Sequence, residues 1–187
     1  QYRDNLFEKV AETDDALMEK YLEGQTITNE ELKEALRRAT LCNTLVPVLC
    51  GTALKHKGVQ PMLDAVIDYL PSPDDIESIE AIDPRSGDTV TRQTQPNEPL
   101  AALAFKVAAD PYGRLVFVRV YSGVLKSGSY VYNSTKESDE RIARLVLMHA
   151  NHREEVQELV AGQIGAVVGL KNTFTGETVC DERDPVV

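Results

Sequence analysis

The stretch Val48-Leu49-Cys50-Gly51-Thr52-Ala53-Leu54-Lys55-His56-Lys57-Gly58-Val59-Gln60-Pro61-Met62-Leu63-Asp64-Ala65-Val66-Ile67-Asp68-Tyr69-Leu70-Pro71-Ser72-Pro73 reads as a strand, a tight loop and a helix. Val46 to Cys50 is a short apolar run of the kind buried on both faces of a sheet, although Pro47 removes one ladder donor. Gly51, Thr52 and Ala53 are small enough for a tight connection. From Gly58 the period changes: Val59, Met62, Leu63, Val66, Ile67 and Leu70 recur at helical spacing. Pro61 suits the first turn, and Pro71-Ser72-Pro73 stops the helix.

Small residues between a strand and a helix serve as turn and cap chemistry, and they can also bring backbone amides close to a ligand. A guanine O6 accepts hydrogen bonds where an adenine N6 donates them, so a backbone N–H held at Ala53 would select guanine. No G-x-x-x-x-G-K-[ST] loop and no Asn-Lys-x-Asp occur in the chain. With nothing to cradle phosphates, the loop is one corner of a nucleotide site.

Upstream, Leu6, Phe7, Val10 and Ala11, then Leu17, Met18, Tyr21 and Leu22, fit one helical segment that Gly24 ends. Thr28-Asn29-Glu30-Glu31 is a capping box opening a second helix to about Thr40, with Leu32, Ala35, Leu36 and Ala39 on its apolar side. Downstream, residues 74–98 are acidic, with Pro84, Gly87 and Pro96, and read as a linker. From Leu100 the pattern turns to short strands: Leu103 to Val107, Leu115 to Tyr121, Tyr130 to Tyr132, Ile142 to Met148 and Ile164 to Val168. Gly123, Gly128, Gly162, Gly169 and Gly176 punctuate them, which predicts a closed antiparallel barrel.

The net charge of −10 is unevenly spread. Residues 1–70 carry −4, residues 71–99 carry −5 and residues 100–187 only −1. Within the last segment, residues 106–153 hold a net +4, the only region where a phosphate backbone would be attracted. Lys106, Arg114, Lys126 and Arg144 are the candidate RNA-binding residues. Cys42, Cys50 and Cys180 have no C-x-x-C spacing, so they read as small buried apolar groups rather than as a zinc site or a disulfide framework. No run is apolar and long enough to span a bilayer, and no secretory leader is recognisable, which places the expectation in the cytoplasm.

The run from Gly51 to Pro73 resembles the end of the GTPase domain of the elongation factor G family, the translocation GTPases of bacterial ribosomes. Arg119-Val120-Tyr121-Ser122-Gly123-Val124-Leu125-Lys126-Ser127-Gly128, then Met148-His149-Ala150-Asn151 and Gly169-Leu170-Lys171, resemble the barrel that follows it. The resemblance implies an α+β chain: a truncated α/β GTPase-domain remnant over 1–73, including part of its insert, the acidic linker 74–98, and a domain II barrel over 99–187. It also implies that Thr52, Ala53 and Leu54 are guanine-loop positions, with Thr where many members have Ser and Leu54 packing beneath the base. GTP or GDP with magnesium would be bound by the intact parent and not by this segment. The implied partner is the ribosome, through small-subunit RNA at the barrel and through the large-subunit stalk at the insert, with no membrane role. Gln1 and the Pro185-Val186-Val187 end are expected to be internal boundaries of a longer chain. A termination factor, a ribosomal protection protein or a recycling paralogue shares the same loop and barrel. A non-enzymatic RNA- or protein-binding barrel is the reading from another class.

Other constellations offer less. His149 and His152 lack a third ligand at metal spacing, and Ser122, Ser127 and Ser129 lack the Gly-x-Ser-x-Gly context of a nucleophile. No catalytic residue is assigned. With most of an α/β sheet missing, residues 44–70 would leave apolar surface open, so either two copies associate there or the amino-terminal helices refold over it.

Overall fold

A computed structural model describes residues 2–76, 78–110, 113–150 and 152–187. Asn151 of the sequence motif lies outside the described residues. The chain divides into two compact units, Gln1–Ser72 and Pro73–Val187.

The first unit is helical: α1 Tyr2–Ala11, α2 Asp15–Leu22, α3 Asn29–Leu41 and α4 Val59–Tyr69. The single first helix expected up to Gly24 is two. Asp14 leaves the helical region and accepts a bond from the Leu17 N–H at 3.1 Å, capping a new start where periodicity alone saw continuity. The Thr28–Glu31 capping box forms with both reciprocal bonds. Val10, Ala11, Leu17, Ile27, Ala35 and Leu36 make the core, with Phe7, Leu32, Leu45 and Tyr69 packed on it. Helix α4 is fastened to α3 by polar contacts. Lys33 meets Asp68 at 2.7 Å, and Arg37 Nη1 donates to the carbonyls of Ile67, Asp68 and Leu70, which satisfies the open carboxyl end of α4.

The expected strand Val46–Cys50 is not one. The segment is irregular, and Val46 and Val48 are 81% and 86% exposed. Strand structure requires a pairing partner, and none is present for these residues among those described. Of helix α4 only Ala65 is buried, while Met62, Leu63, Val66, Ile67 and Leu70 stay in water. The amino-terminal helices therefore do not refold over this surface. Cys42, at the carboxyl end of α3, and Cys50, in the irregular segment, are exposed, against expectation, whereas Cys180 is buried. Among the described residues, no helix is long and apolar enough to cross a membrane.

The second unit is antiparallel. Its strands are β1 Ser78–Ile82, β2 Thr89–Gln93, β3 Ala101–Asp110, β4 Gly113–Ser122, β5 Val124–Lys126, β6 Tyr130–Asn133, β7 Ser138–Arg141, β8 Arg144–His149, β9 His152–Val156, β10 Glu158–Val160, β11 Ile164–Val168 and β12 Glu177–Cys180. The antiparallel strands agree with the expected α+β chain and barrel: eight form a ladder in the order β7-β6-β12-β3-β4-β11-β8-β9, beside the pairs β1-β2 and β5-β10, and pairing that closes the ladder is not found among the described residues. Period-two alternation builds the core: Val116, Val118 and Val120 of β4 point to one face with Ala102, Ala104, Leu145, Val167 and Val179. Leu125 and Leu159 of the small sheet complete that core. Gly123 has φ 74°, and a Cβ there would stand 2.7 Å from Leu100 Cα, so the β4–β5 corner admits glycine alone.

Residues 74–98 correct a second expectation. They are no featureless linker but carry the β1–β2 hairpin, in register from Ser78↔Gln93 to Ile82↔Thr89. Arg92 is buried there and pairs with Asp184 at 2.6 Å, while Ile82 and Val187 exchange backbone bonds at 3.0 and 2.9 Å. The acidic composition hid the alternation of Ile79, Ala81 and Val90; of these, Ala81 and Val90 pack near Val186 and Tyr132.

Thr28→Ala should cost about 1 kcal/mol in urea denaturation through loss of the cap. We propose that two copies associate through residues 44–70. Light scattering should then show mass rising with concentration, and Leu49→Asp with Ile67→Asp should restore the monomer; a monomeric unsubstituted chain at every concentration would remove that proposal.

Candidate functional site

The loop 51–58 is closed like a clasp. Thr52 N–H donates to the Lys57 carbonyl at 2.9 Å, and Lys57 N–H returns to Thr52 at 3.1 Å. Between them Ala53–Lys55 make one 3-10 turn, ended by His56 in the left-handed region at φ 53°. Gly51 and Gly58 form the neck. A Cβ on Gly58 would lie 2.9 Å from the Cys50 carbonyl oxygen, and one on Gly51 would lie 3.0 Å from that of Lys57. At Gly58, with φ 78°, a side chain would push the two sides of the loop apart, and at Gly51 a Cβ would have only marginal room.

The first N–H groups of a helical turn have no partner within it. The Ala53 amide sits at that position, so it suits an acceptor such as a purine O6. Leu54 is 91% exposed, giving an apolar surface beside the amide. The exposed amide end and the exposed Leu54 are the two features that the guanine-loop expectation for Thr52, Ala53 and Leu54 calls for.

The four basic candidates do not share one face. Lys106 on β3 lies over the Phe117 ring with Nζ 5.4 Å from its centroid. Arg144 on β8 is opposite Val168, which is opposite Leu115, so it lies on the same outer face as Phe117. Its guanidinium is 3.9 Å from Glu155. Arg114, one residue from Leu115, turns the other way: its two terminal nitrogens donate to the Lys171 and Thr173 carbonyls, and its guanidinium sits 4.4 Å from the Phe174 ring centroid. Lys126 belongs to the separate β5–β10 pair. Arg119, which is not among the four, lies over Tyr121 at 4.8 Å on the outer face. The signal for it was in the sequence, because Leu115, Phe117, Arg119 and Tyr121 alternate with the buried valines of β4.

Arg114 is one part of a polar clamp on residues 171–177. The buried Glu140 accepts from the Lys171 and Asn172 amides and from the Thr173 hydroxyl. Asn133 donates to Thr173 Oγ1 at 3.1 Å and to Glu177 at 2.9 Å. Lys136 meets Glu177 at 3.2 Å and the Phe174 ring at 4.0 Å. Burial alone would raise the Glu177 carboxyl, but the bonds from Asn133, the Phe174 amide and Lys136 outweigh it and hold it below the ordinary range. Cys180 goes the other way, its thiol pushed up by burial. His149 faces His152 across the β8–β9 hairpin and lies 3.4 Å from Glu154, all three on the exposed rim.

A family model described as elongation factor Tu domain 2 matches residues 113–180, so this segment is similar to that domain. A crystal structure of a protein from Thermus thermophilus is similar with a TM-score of 0.69 and 30% identity, over 98% of this chain and 25% of that one. The chain spans about a quarter of the solved protein that it matches.

Glu177 adds stability above its unfolded pKa of about 4.3, and that contribution fades as pH falls through its depressed native value. Urea midpoints of the unsubstituted chain and of Glu177→Gln should therefore differ at neutral pH and converge in acid. Calorimetry with GDP or GTP and magnesium should give no binding tighter than a Kd of about 1 mM, about 4 kcal/mol, because the phosphate contacts that dominate such sites are not in this chain.

Proposed function

We propose that this chain is a segment of an elongation-factor-G-type translational GTPase, comprising the end of the GTPase domain with part of its insert and the domain II that follows. What supports this reading is an ordered pair: a backbone clasp at residues 51–58, where the resemblance expects a guanine loop, then a segment at 113–180 similar to elongation factor Tu domain 2. In the intact protein, Thr52, Ala53 and Leu54 hold and select the base, with the Ala53 amide donating to the purine O6. Bound GTP with magnesium supplies the phosphoryl chemistry that drives the cycle. The domain II segment docks on small-subunit ribosomal RNA, and α1 to α3 face the large-subunit stalk. The protein works in the cytoplasm, moving transfer and messenger RNA.

Sedimentation tests this reading. The chain should pellet with isolated small ribosomal subunits at low salt and be released as salt rises, since phosphate contacts release counterions. Recovery of the chain wholly in the supernatant with both subunits would overturn the ribosomal assignment. A second measurement uses the longer protein that contains the chain, which should hydrolyse GTP faster when ribosomes are added.

A further inference from the structure

The outer face of β3, β4, β11, β8 and β9 has a composition unlike the rest of this acidic chain. Its floor is apolar: Leu115, Val146 and Ala166 are buried, with Phe117, Met148 and Val168 packed against them. Aromatic rings stand on that floor. Phe105, 40% exposed at a bulge of β3, meets Phe117 with ring centroids 6.4 Å apart, and Tyr121 lies further along β4. Cations lie among the rings, with Lys106 over Phe117 and Arg119 over Tyr121. Cross-strand register adds Arg144, opposite Val168, and Arg153, opposite Met148. Against these four cations the described side chains of the face include one acid, Glu155, opposite Val146. A net positive face on a chain of charge −10 concentrates the attraction for anions in one place.

We propose that this face takes unpaired nucleotides of RNA, with bases stacking on Phe105 and Phe117 and phosphates meeting Lys106, Arg119 and Arg144. The inference rests on the ribosome-docking reading and narrows it to one surface and one form of RNA. Cations alone would attract any phosphate backbone. Exposed rings add a contact that only a base with a free face can use, because a duplex keeps its base faces inside the stack. An acidic polypeptide would satisfy the cations and leave the rings without stacking partners.

Fluorescence anisotropy with a labelled oligouridine and with a blunt RNA duplex of equal length tests this at low salt. The oligouridine should bind at least about five-fold more tightly than the duplex. Phe105→Leu with Phe117→Leu should weaken oligouridine binding by about five-fold or more and leave duplex binding unchanged. Lys106→Gln with Arg119→Gln should flatten the salt dependence by about one unit of slope per residue, whereas Lys126→Gln on the separate sheet should do little. If the double Phe variant melts early, Phe105→Leu alone, at an exposed ring, gives the same reading. Equal binding of duplex and single strand, untouched by loss of the rings, would overturn the proposal, as would binding of poly-glutamate in place of RNA. Pelleting with small subunits separates the two readings: retention by the Phe variants preserves ribosome docking and removes this face from it, while oligouridine binding without pelleting keeps the face and removes the ribosome.

Discussion

The second unit depends on one constraint, the burial of the inner face of β4 against β3. Val116, Val118 and Val120 are fully enclosed, and each is in register with a small or branched partner on β3 or β11. Burying a Val or Leu side chain is worth roughly 1.5–3 kcal/mol, so this row fixes which residues face inward along the central strands. Outward placement of Phe117, Arg119 and Tyr121 follows from the same row, because a one-residue slip would bury a guanidinium and expose three valines. The chemistry of the outer face is therefore a by-product of the packing of the inner one.

Polar groups finish what burial begins. Strands β6, β7 and β12 are short, and in the connection between β11 and β12 Leu170 is the apolar residue anchored in the core. Glu140, Asn133 and Glu177 satisfy the amides and hydroxyl of residues 171–174, while Arg114 and Lys136 hold Phe174 from the cationic side. An unpaired buried carboxylate is costly, so each of these acids has several donors. Residues that looked available for RNA, Arg114 above all, are thereby committed to the fold.

The first unit shows the opposite situation. Its helices close a core of their own, yet the apolar side of α4 and the segment 46–50 have no cover. The sequence pattern there is that of a buried strand and a sheet-covering helix, but no strand pairs with residues 46–50 among those described. A strand is a property of two segments, and composition cannot supply the second.

Several features were legible without coordinates because they are local. The Thr28–Glu31 capping box, the helix from Val59, the glycine corners and the alternation of β3, β4 and β11 each depend on residues a few positions apart. The glycine–small–small loop at 51–53 belongs to the same class, and its clasp geometry follows from Gly51 and Gly58. What lay beyond the sequence depends on partners distant in the chain. The hairpin in the acidic stretch 74–98 is held by Arg92 on Asp184 and by Ile82 on Val187, contacts across about half the chain. The separation of Lys106 and Arg144 from Arg114 and Lys126 required strand register, and the order of the strands in the ladder required the pairing. Local pattern determined which segments could be helix, strand or turn; long-range pairing decided which of them met, because hydrogen bonding and burial are completed only by the partner.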